Sequence, residues 1–332
     1  MKMKVYLAVL FSIFMTNSLC FAKEGKIRYL WSGIVNPPKC HQIIFNDGYN
    51  GIYYDFTVGT KKPEQDTIIF FFTGSDGESL RYYLKPYFKD LNLNATVYAL
   101  QKRNIGNWSI KKSNGFDQNN YLEKWIDDDT FFIKHILNTL KTHPKKIVSF
   151  GVSEGANRAV IAASKFKEIT NLVVLGGGGL KQSEELSILS EYYGGNPENF
   201  SKKFSQISND PENINKFFLG SPYKYWSHVL FFDPIPYYTQ LEIPIFIGFG
   251  EKDRSVPIES GYFLRDKFIK LGKKNLFFLE IKDCGHNFDD SKGISHLNEI
   301  FKSIRNWLHH NESYRPTTYN MASGAYGRGI II

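Results

Sequence analysis

The basic residues of this chain are never gathered. Lys and Arg number 41 against 33 Asp and Glu, a formal charge of +8, yet no arginine-rich helix and no basic block occurs. A nucleic-acid footprint needs such clustering, so that partner class is set aside. Past the first 22 residues there is no second hydrophobic run long enough to cross a bilayer. The glycine run 176–179 lacks both the Gly-Lys-Ser/Thr of a phosphate loop and the spacing of a dinucleotide fingerprint. No internal repeat is present. Cysteine is scarce, at three residues.

Residues 1–22 stand apart. Lys2 and Lys4 form a positive start, 5–15 are apolar but too short to span, and 17–22 are polar to small, ending at Ala22. This reads as an export signal, which places the protein outside the cytoplasm, secreted or periplasmic. Its removal takes away two of the 41 basic residues and leaves a mature charge of +6. It also removes Cys20. Cys40 and Cys284 remain, an even pair in a compartment that permits disulfides, and a Cys40–Cys284 bridge is one of two open readings; two unpaired thiols is the other.

The rest alternates strand-like and helix-like segments. A β-rich entry over 23–66 carries strands at 42–45 and 51–58 around the turn signal Asn46-Asp47-Gly48. Short, largely apolar runs at 67–72, 95–100, 147–150, 171–175, 243–249 and 276–281 read as buried strands. Helical spacing covers 80–91, 121–142, 259–271 and 294–308. Residues 180–240 break this rhythm and are rich in Phe, Tyr and Trp, as expected of a cap inserted above the sheet. Residues 310–332 lose hydrophobic periodicity and read as a loose tail. His135, His143 and His228 are given no functional role. One domain, 23–309, follows: a mostly parallel doubly wound sheet with helices on both faces.

One stretch carries chemistry. Residues 147–150 form a strand, Gly151-Val152-Ser153-Glu154-Gly155 fits G-x-S-x-G, and 156–163 is a small-residue helix. A serine hydroxyl is a poor nucleophile until it is lifted clear and met by a base. A sharp strand-to-helix turn does this, side chains at Gly151 and Gly155 would clash with it, and the helix start favours a developing oxyanion. Two other strand ends supply partners: Asp253 in Gly250-Glu251-Lys252-Asp253, and His286 in Cys284-Gly285-His286. Asp283 is a weaker candidate acid, being too near His286 in sequence. Thr73-Gly74-Ser75-Asp76-Gly77 after the first central strand brings backbone N–H groups toward the same rim. The run 176–179 reads as a strand end that leaves room for substrate.

The order Ser153, Asp253, His286, with the elbow around the serine, resembles the α/β-hydrolase superfamily over residues 40–308. The Ser-Glu-Gly elbow and the Gly-Ser loop after residue 72 resemble the dienelactone-hydrolase-like, prolyl-oligopeptidase-like and exported esterase branches. The loop lacks the His-Gly-Gly pattern of lipases. The resemblance implies Ser153 as nucleophile, His286 as general base, Asp253 as its orienting acid, and the N–H groups of Glu154 and Ser75 as oxyanion donors. Only the backbone of Glu154 is required, and its carboxylate reads as a solvated charge at a helix start. The expected activity is hydrolysis of an ester, thioester or amide in a small acyl substrate or short peptide, with a carboxylic ester first, and no cofactor or metal implied. A serine peptidase or an acyltransferase would use the same residues. An exported binding protein on a hydrolase fold is the reading from another class.

Overall fold

The computed structural model describes residues 23–59, 67–75, 77–310 and 328–331. The export signal expected at 1–22 and most of the tail fall outside the described residues. The chain opens with helix α1 (Lys23–Val35), then strands β1 (Lys39–Ile44), β2 (Asn50–Val58) and β3 (Thr67–Phe72). A 3-10 turn (Leu80–Tyr82) leads to α2 (Leu84–Phe88), β4 (Ala95–Leu100), α3 (Phe116–Asn119), α4 (Leu122–Thr139), β5 (Lys146–Val152), α5 (Gly155–Lys165) and β6 (Asn171–Leu175). The 180–240 segment folds as α6 (Gln182–Tyr192), α7 (Pro197–Ser208), a hairpin of β7 (Phe217–Phe218) and β8 (Ser221–Pro222), α8 (Tyr223–Val229) and α9 (Ile235–Thr239). β9 (Ile245–Gly250), α10 (Ile258–Lys270), β10 (Leu276–Ile281), α11 (Leu297–His310) and β11 (Arg328–Ile331) complete it.

The large sheet runs β1-β2-β4-β3-β5-β6-β9-β10-β11. From β4 to β10 neighbouring strands are parallel, while β1, β2 and β11 add antiparallel edges. Both faces are covered, so the central strands are buried at nearly every position, with Thr96, Ser149 and Asn171 among the few polar residues they carry. The strand period of two then divides the core. Ile68, Phe70 and Phe72 of β3 pack toward α4 and α5, whereas Ile69 and Phe71 pack toward α2 and α11. On that second face Phe71, Phe88, Phe150 and Phe301 form one aromatic cluster, with ring centroids 4.8 to 5.8 Å apart in the Phe71–Phe88, Phe88–Phe150 and Phe88–Phe301 pairs. Each fully buried ring contributes about 1.5–3 kcal/mol over exposure.

Several elements depart from the sequence expectation. Residues 23–35 form a helix rather than the start of a β-rich entry. Gly33 lets α1 approach the 3-10 turn, since a Cβ there would lie 2.9 Å from the Cα of Tyr82. That contact is tertiary, and the β-branched Ile34 and Val35 point locally toward strand. The helix expected over 80–91 is broken into a 3-10 turn and α2, with Pro86 inside the short helix. Residues 328–331 are not loose; they pair antiparallel with β10 and cover what would be an open edge. Among the described residues no helix is long and apolar enough to cross a membrane.

The Cys40–Cys284 bridge is ruled out. Both thiols are free. Cys40 sits on β1 at one edge, and Cys284 follows β10, seven strands across the sheet. At about 4.8 Å per strand that separation is roughly 34 Å, against a Cα–Cα limit of about 7 Å for a disulfide.

Candidate active site

The small residues of β5 explain how Ser153 is presented. On the face toward α5, β5 carries Ile147 and then the small Ser149 and Gly151, and Ser149 Oγ donates to the Ala159 carbonyl at 2.8 Å. The helix therefore lies close against the strand, and the turn between them must be tight. A Cβ on Gly151 would lie 2.5 Å from the Gly155 carbonyl oxygen, and one on Gly155 would lie 2.1 Å from that of Phe72. Ser153 sits at the apex with φ of 53°, in the left-handed region. For a residue with a Cβ that conformation costs about 1–2 kcal/mol. It is held by the Ser153 N–H to the Leu175 carbonyl and the Ala156 N–H to the Ser153 carbonyl, both at 2.9 Å.

Asp253 and His286 arrive from the loops after β9 and β10. Asp253 is 2% exposed. Its Oδ1 accepts the N–H groups of Ser255 at 2.8 Å and Val256 at 2.9 Å, and its Oδ2 stands 2.7 Å from His286 Nδ1. Burial pulls the imidazole pKa down, but the charge and hydrogen bond of Asp253 outweigh burial and hold it above the ordinary 6.5. Asp283, the rival acid, is engaged elsewhere. It pairs with Lys252 and accepts from Ser291 Oγ at 2.6 Å, and these contacts bring it down to about 2.

Ser153 and His286 line one cavity of about 430 Å³, together with Ser75, Glu185, Tyr225 and Trp226. A second cavity, of about 370 Å³, shares Ser75, Ser153 and His286 with the first and extends toward Asn287 and Leu297. Ser153 thus stands where two spaces meet. The 180–240 segment contributes Leu219, Gly220, Ser221, Tyr225 and Trp226 to the first cavity. On the opposite side Gly74 brings the loop after β3 against the serine; a Cβ there would lie 3.3 Å from Ser153 Cβ and 3.7 Å from its Oγ. Ser75, the next residue, is exposed beside it.

The run 176–179 makes room chiefly for the protein itself. Gly176 has φ of 62°, and a Cβ there would meet His286 Cε1 at 3.0 Å and Nδ1 at 3.2 Å. Gly177 adjoins Ala156 and Gly178 adjoins Ser260, although both also border the first cavity. Cys284 is no rival nucleophile. Burial, followed by the nearby carboxylates Asp290, Asp283, Asp289 and Glu299, raises its thiol to about 12. Among the described residues no group of three or more His, Cys, Asp or Glu is placed to hold a metal ion.

The Glu154 carboxylate is not a solvated helix-start charge. Its side chain is 10% exposed and ion-paired with Lys102, itself 4% exposed, and Tyr225 OH donates to its Oε2 at 2.7 Å. Burial, then this carboxylate, hold the Tyr225 phenol well above its ordinary pKa, so it remains the donor. Lys102 Nζ also donates to the Gly74 carbonyl at 3.1 Å and lies 4.4 Å from the centroid of the Trp125 ring. One ammonium therefore ties the elbow to the loop after β3. The sequence held half of this signal: Lys102 lies two residues past β4, on the carboxyl rim of the sheet. Its partner, 52 residues away, has no local mark.

No family model matches the chain, and no curated protein matches it by sequence. Solved structures do. The acylaminoacyl peptidase of Pyrococcus horikoshii is similar with a TM-score of 0.59 at 13% identity, over 90% of this chain and 45% of that one. Est1E from Butyrivibrio proteoclasticus gives 0.54 at 14% identity, over 83% of this chain and 99% of that one. The Pyrococcus furiosus esterase Pf2001 gives 0.53 at 17% identity, over 82% and 90%. The chain spans less than half the length of the acylaminoacyl peptidase and nearly the whole of each esterase. By its sheet order, its elbow and these likenesses, the chain has the α/β-hydrolase fold.

Proposed function

We propose that this protein is a serine hydrolase that cleaves an ester, thioester or amide through an acyl-enzyme, with a carboxylic ester as the foremost substrate class. The observation that supports this most is the left-handed Ser153 on the same cavity wall as a hydrogen-bonded Asp253–His286 pair. Ser153 Oγ attacks the acyl carbonyl while His286 Nε2 takes its proton. Nδ1–H, held by Asp253, fixes the tautomer and stabilises the imidazolium. The N–H groups of Glu154 and Ser75 receive the oxyanion, each contributing about 3 kcal/mol. The tetrahedral adduct then breaks its bond to the leaving group, which takes the proton from His286. Water, deprotonated by the same imidazole, attacks the acyl-enzyme and releases acid and Ser153. Residues 1–22 support export as part of this reading.

The two cavities suit such a sequence, since Ser153 lies between space for an acyl group and space for a leaving group. A second reading, peptide hydrolysis, draws on the likeness to the acylaminoacyl peptidase and to a Mycobacterium tuberculosis puromycin-hydrolyzing peptidase, of which this chain spans 42%. The test is labelling by a fluorophosphonate probe. Wild type should label, Ser153→Ala should not, and thermal melts of the two should agree. A folded wild type that refuses the probe would overturn the hydrolase reading in favour of a binding protein.

A further inference from the structure

The first cavity contains a carboxylate that hydrolysis does not use. Glu185, in the first turn of α6, is 6% exposed and borders the same space as Ser153 and His286. Its neighbour Glu184 faces the other way and caps the helix, accepting the Lys181 N–H at 2.8 Å. Glu185 instead points inward, and a fixed donor holds it. Ser260, fully buried on α10, donates from Oγ to Glu185 Oε1 at 2.7 Å, and the Leu180 N–H donates to that Oγ at 3.1 Å. Among the described residues no cationic side chain pairs with Glu185. The titratable groups around it are Asp253 and Glu184, both acidic, and the buried phenol of Tyr238.

A buried carboxylate without a counter-ion is costly, and the usual remedies are a partner or a proton. Burial, with the Asp253 and Glu184 charges added, outweighs the Ser260 hydrogen bond and pushes its pKa up to about 8. A cation delivered by a ligand would satisfy the same group and leave it ionised.

We infer that Glu185 is a recognition site for an organic ammonium group on the substrate, so that the acyl compound bound beside Ser153 carries a protonated amine, as an α-aminoacyl ester or amide does. This rests on the hydrolase reading for its substrate, and deepens it. The ammonium would donate to the second oxygen of Glu185, while Ser260 keeps the first. The field of Asp253 adds to the attraction for a cation.

The matched probes are phenylalanine methyl ester and methyl 3-phenylpropionate, which differ by one ammonium. Calorimetry on the Ser153→Ala protein, near pH 7, reads binding without turnover, and pairing with the ammonium should release the Glu185 proton to the buffer. We expect the charged ester to bind about tenfold or more tighter, the scale of one charge-assisted hydrogen bond, and Glu185→Gln in the same background to erase that preference. Equal binding of the two esters to the Glu185 protein overturns the inference whether or not any variant folds, and so does a preference that survives in a folded Glu185→Gln. Fluorophosphonate labelling of Ser153, run on the wild type in parallel, judges the hydrolase reading separately.

Discussion

Ser153 has an acid–base pair on each flank. On one side Asp253 and His286 meet at 2.7 Å; on the other Glu154 and Lys102 form an ion pair. Both are buried, both join distant parts of the chain, and both stand at the carboxyl rim of the sheet. They differ in what is left over. His286 commits one ring nitrogen to Asp253 and still borders the cavity. The Lys102 ammonium divides itself among Glu154, the Gly74 carbonyl and the Trp125 ring, and Glu154 accepts a second bond from Tyr225. The first pair keeps a group in reserve for a reaction, and the second is closed on itself. Proximity to Ser153 therefore does not by itself suit a charged residue to catalysis; unspent hydrogen-bonding capacity facing the cavity does, and that is the ground for the role proposed for His286.

That contrast can be broken at either pair. The largest effect belongs to Asp253→Asn, which should lower kcat on a model ester on the order of 10³–10⁴-fold by favouring the wrong histidine tautomer, with little loss in thermal stability. The pH profile sharpens the point. His286 must be neutral to act, so activity should rise with pH through a midpoint above 6.5, the value that Asp253 lifts. Stability runs the other way: the charged His286–Asp253 pair favours the fold at low pH, and its contribution fades as pH climbs through the raised pKa. A kcat/KM profile of wild type with its midpoint below 6.5 would contradict this.

Lys102→Met should show the opposite balance. It strands the Glu154 carboxylate, and breaking a buried pair costs about 3–5 kcal/mol, readable by urea denaturation. Lys102→Met with Glu154→Gln should recover much of that loss. The rate should fall by only about tenfold, through a loosened Gly74–Ser75 loop with a weakened oxyanion contact. A Lys102→Met protein as stable as wild type would show that the pair is not closed as described. The smallest effect is expected of Gly176→Ala. The added methyl would press on the His286 ring, and the left-handed φ would be strained, so a loss of roughly 1–2 kcal/mol should accompany a modest fall in kcat with KM little changed.

Much of the site was legible because each residue answered a local demand. Gly151 and Gly155 are there because nothing larger fits, Ser153 because it needs that turn, and Asp253 and His286 because they follow buried strands whose ends share a rim. The sheet was legible for the same reason, since the six central strands are largely apolar. What failed to show was whatever depends on a distant neighbour. Glu154 looked like a free helix-start charge because Lys102 is 52 residues away. Cys40 and Cys284 looked pairable because an even count says nothing about which edge of a sheet each thiol occupies. The run 176–179 suggested space for a ligand, and the space is largely taken by His286, Ala156 and Ser260. Glu185 gave no signal, because a second glutamate in the first turn of a helix is unremarkable until one of the two turns inward.

The backbone at Ser153 sets stability and activity against each other. Its φ of 53° is one that glycine adopts freely. Replacing this serine by glycine would relax the turn and remove the proposed nucleophile in one step. On the hydrolase reading proposed above, a search for sturdier variants that scored folding alone would therefore drift toward a protein without its nucleophile at this position.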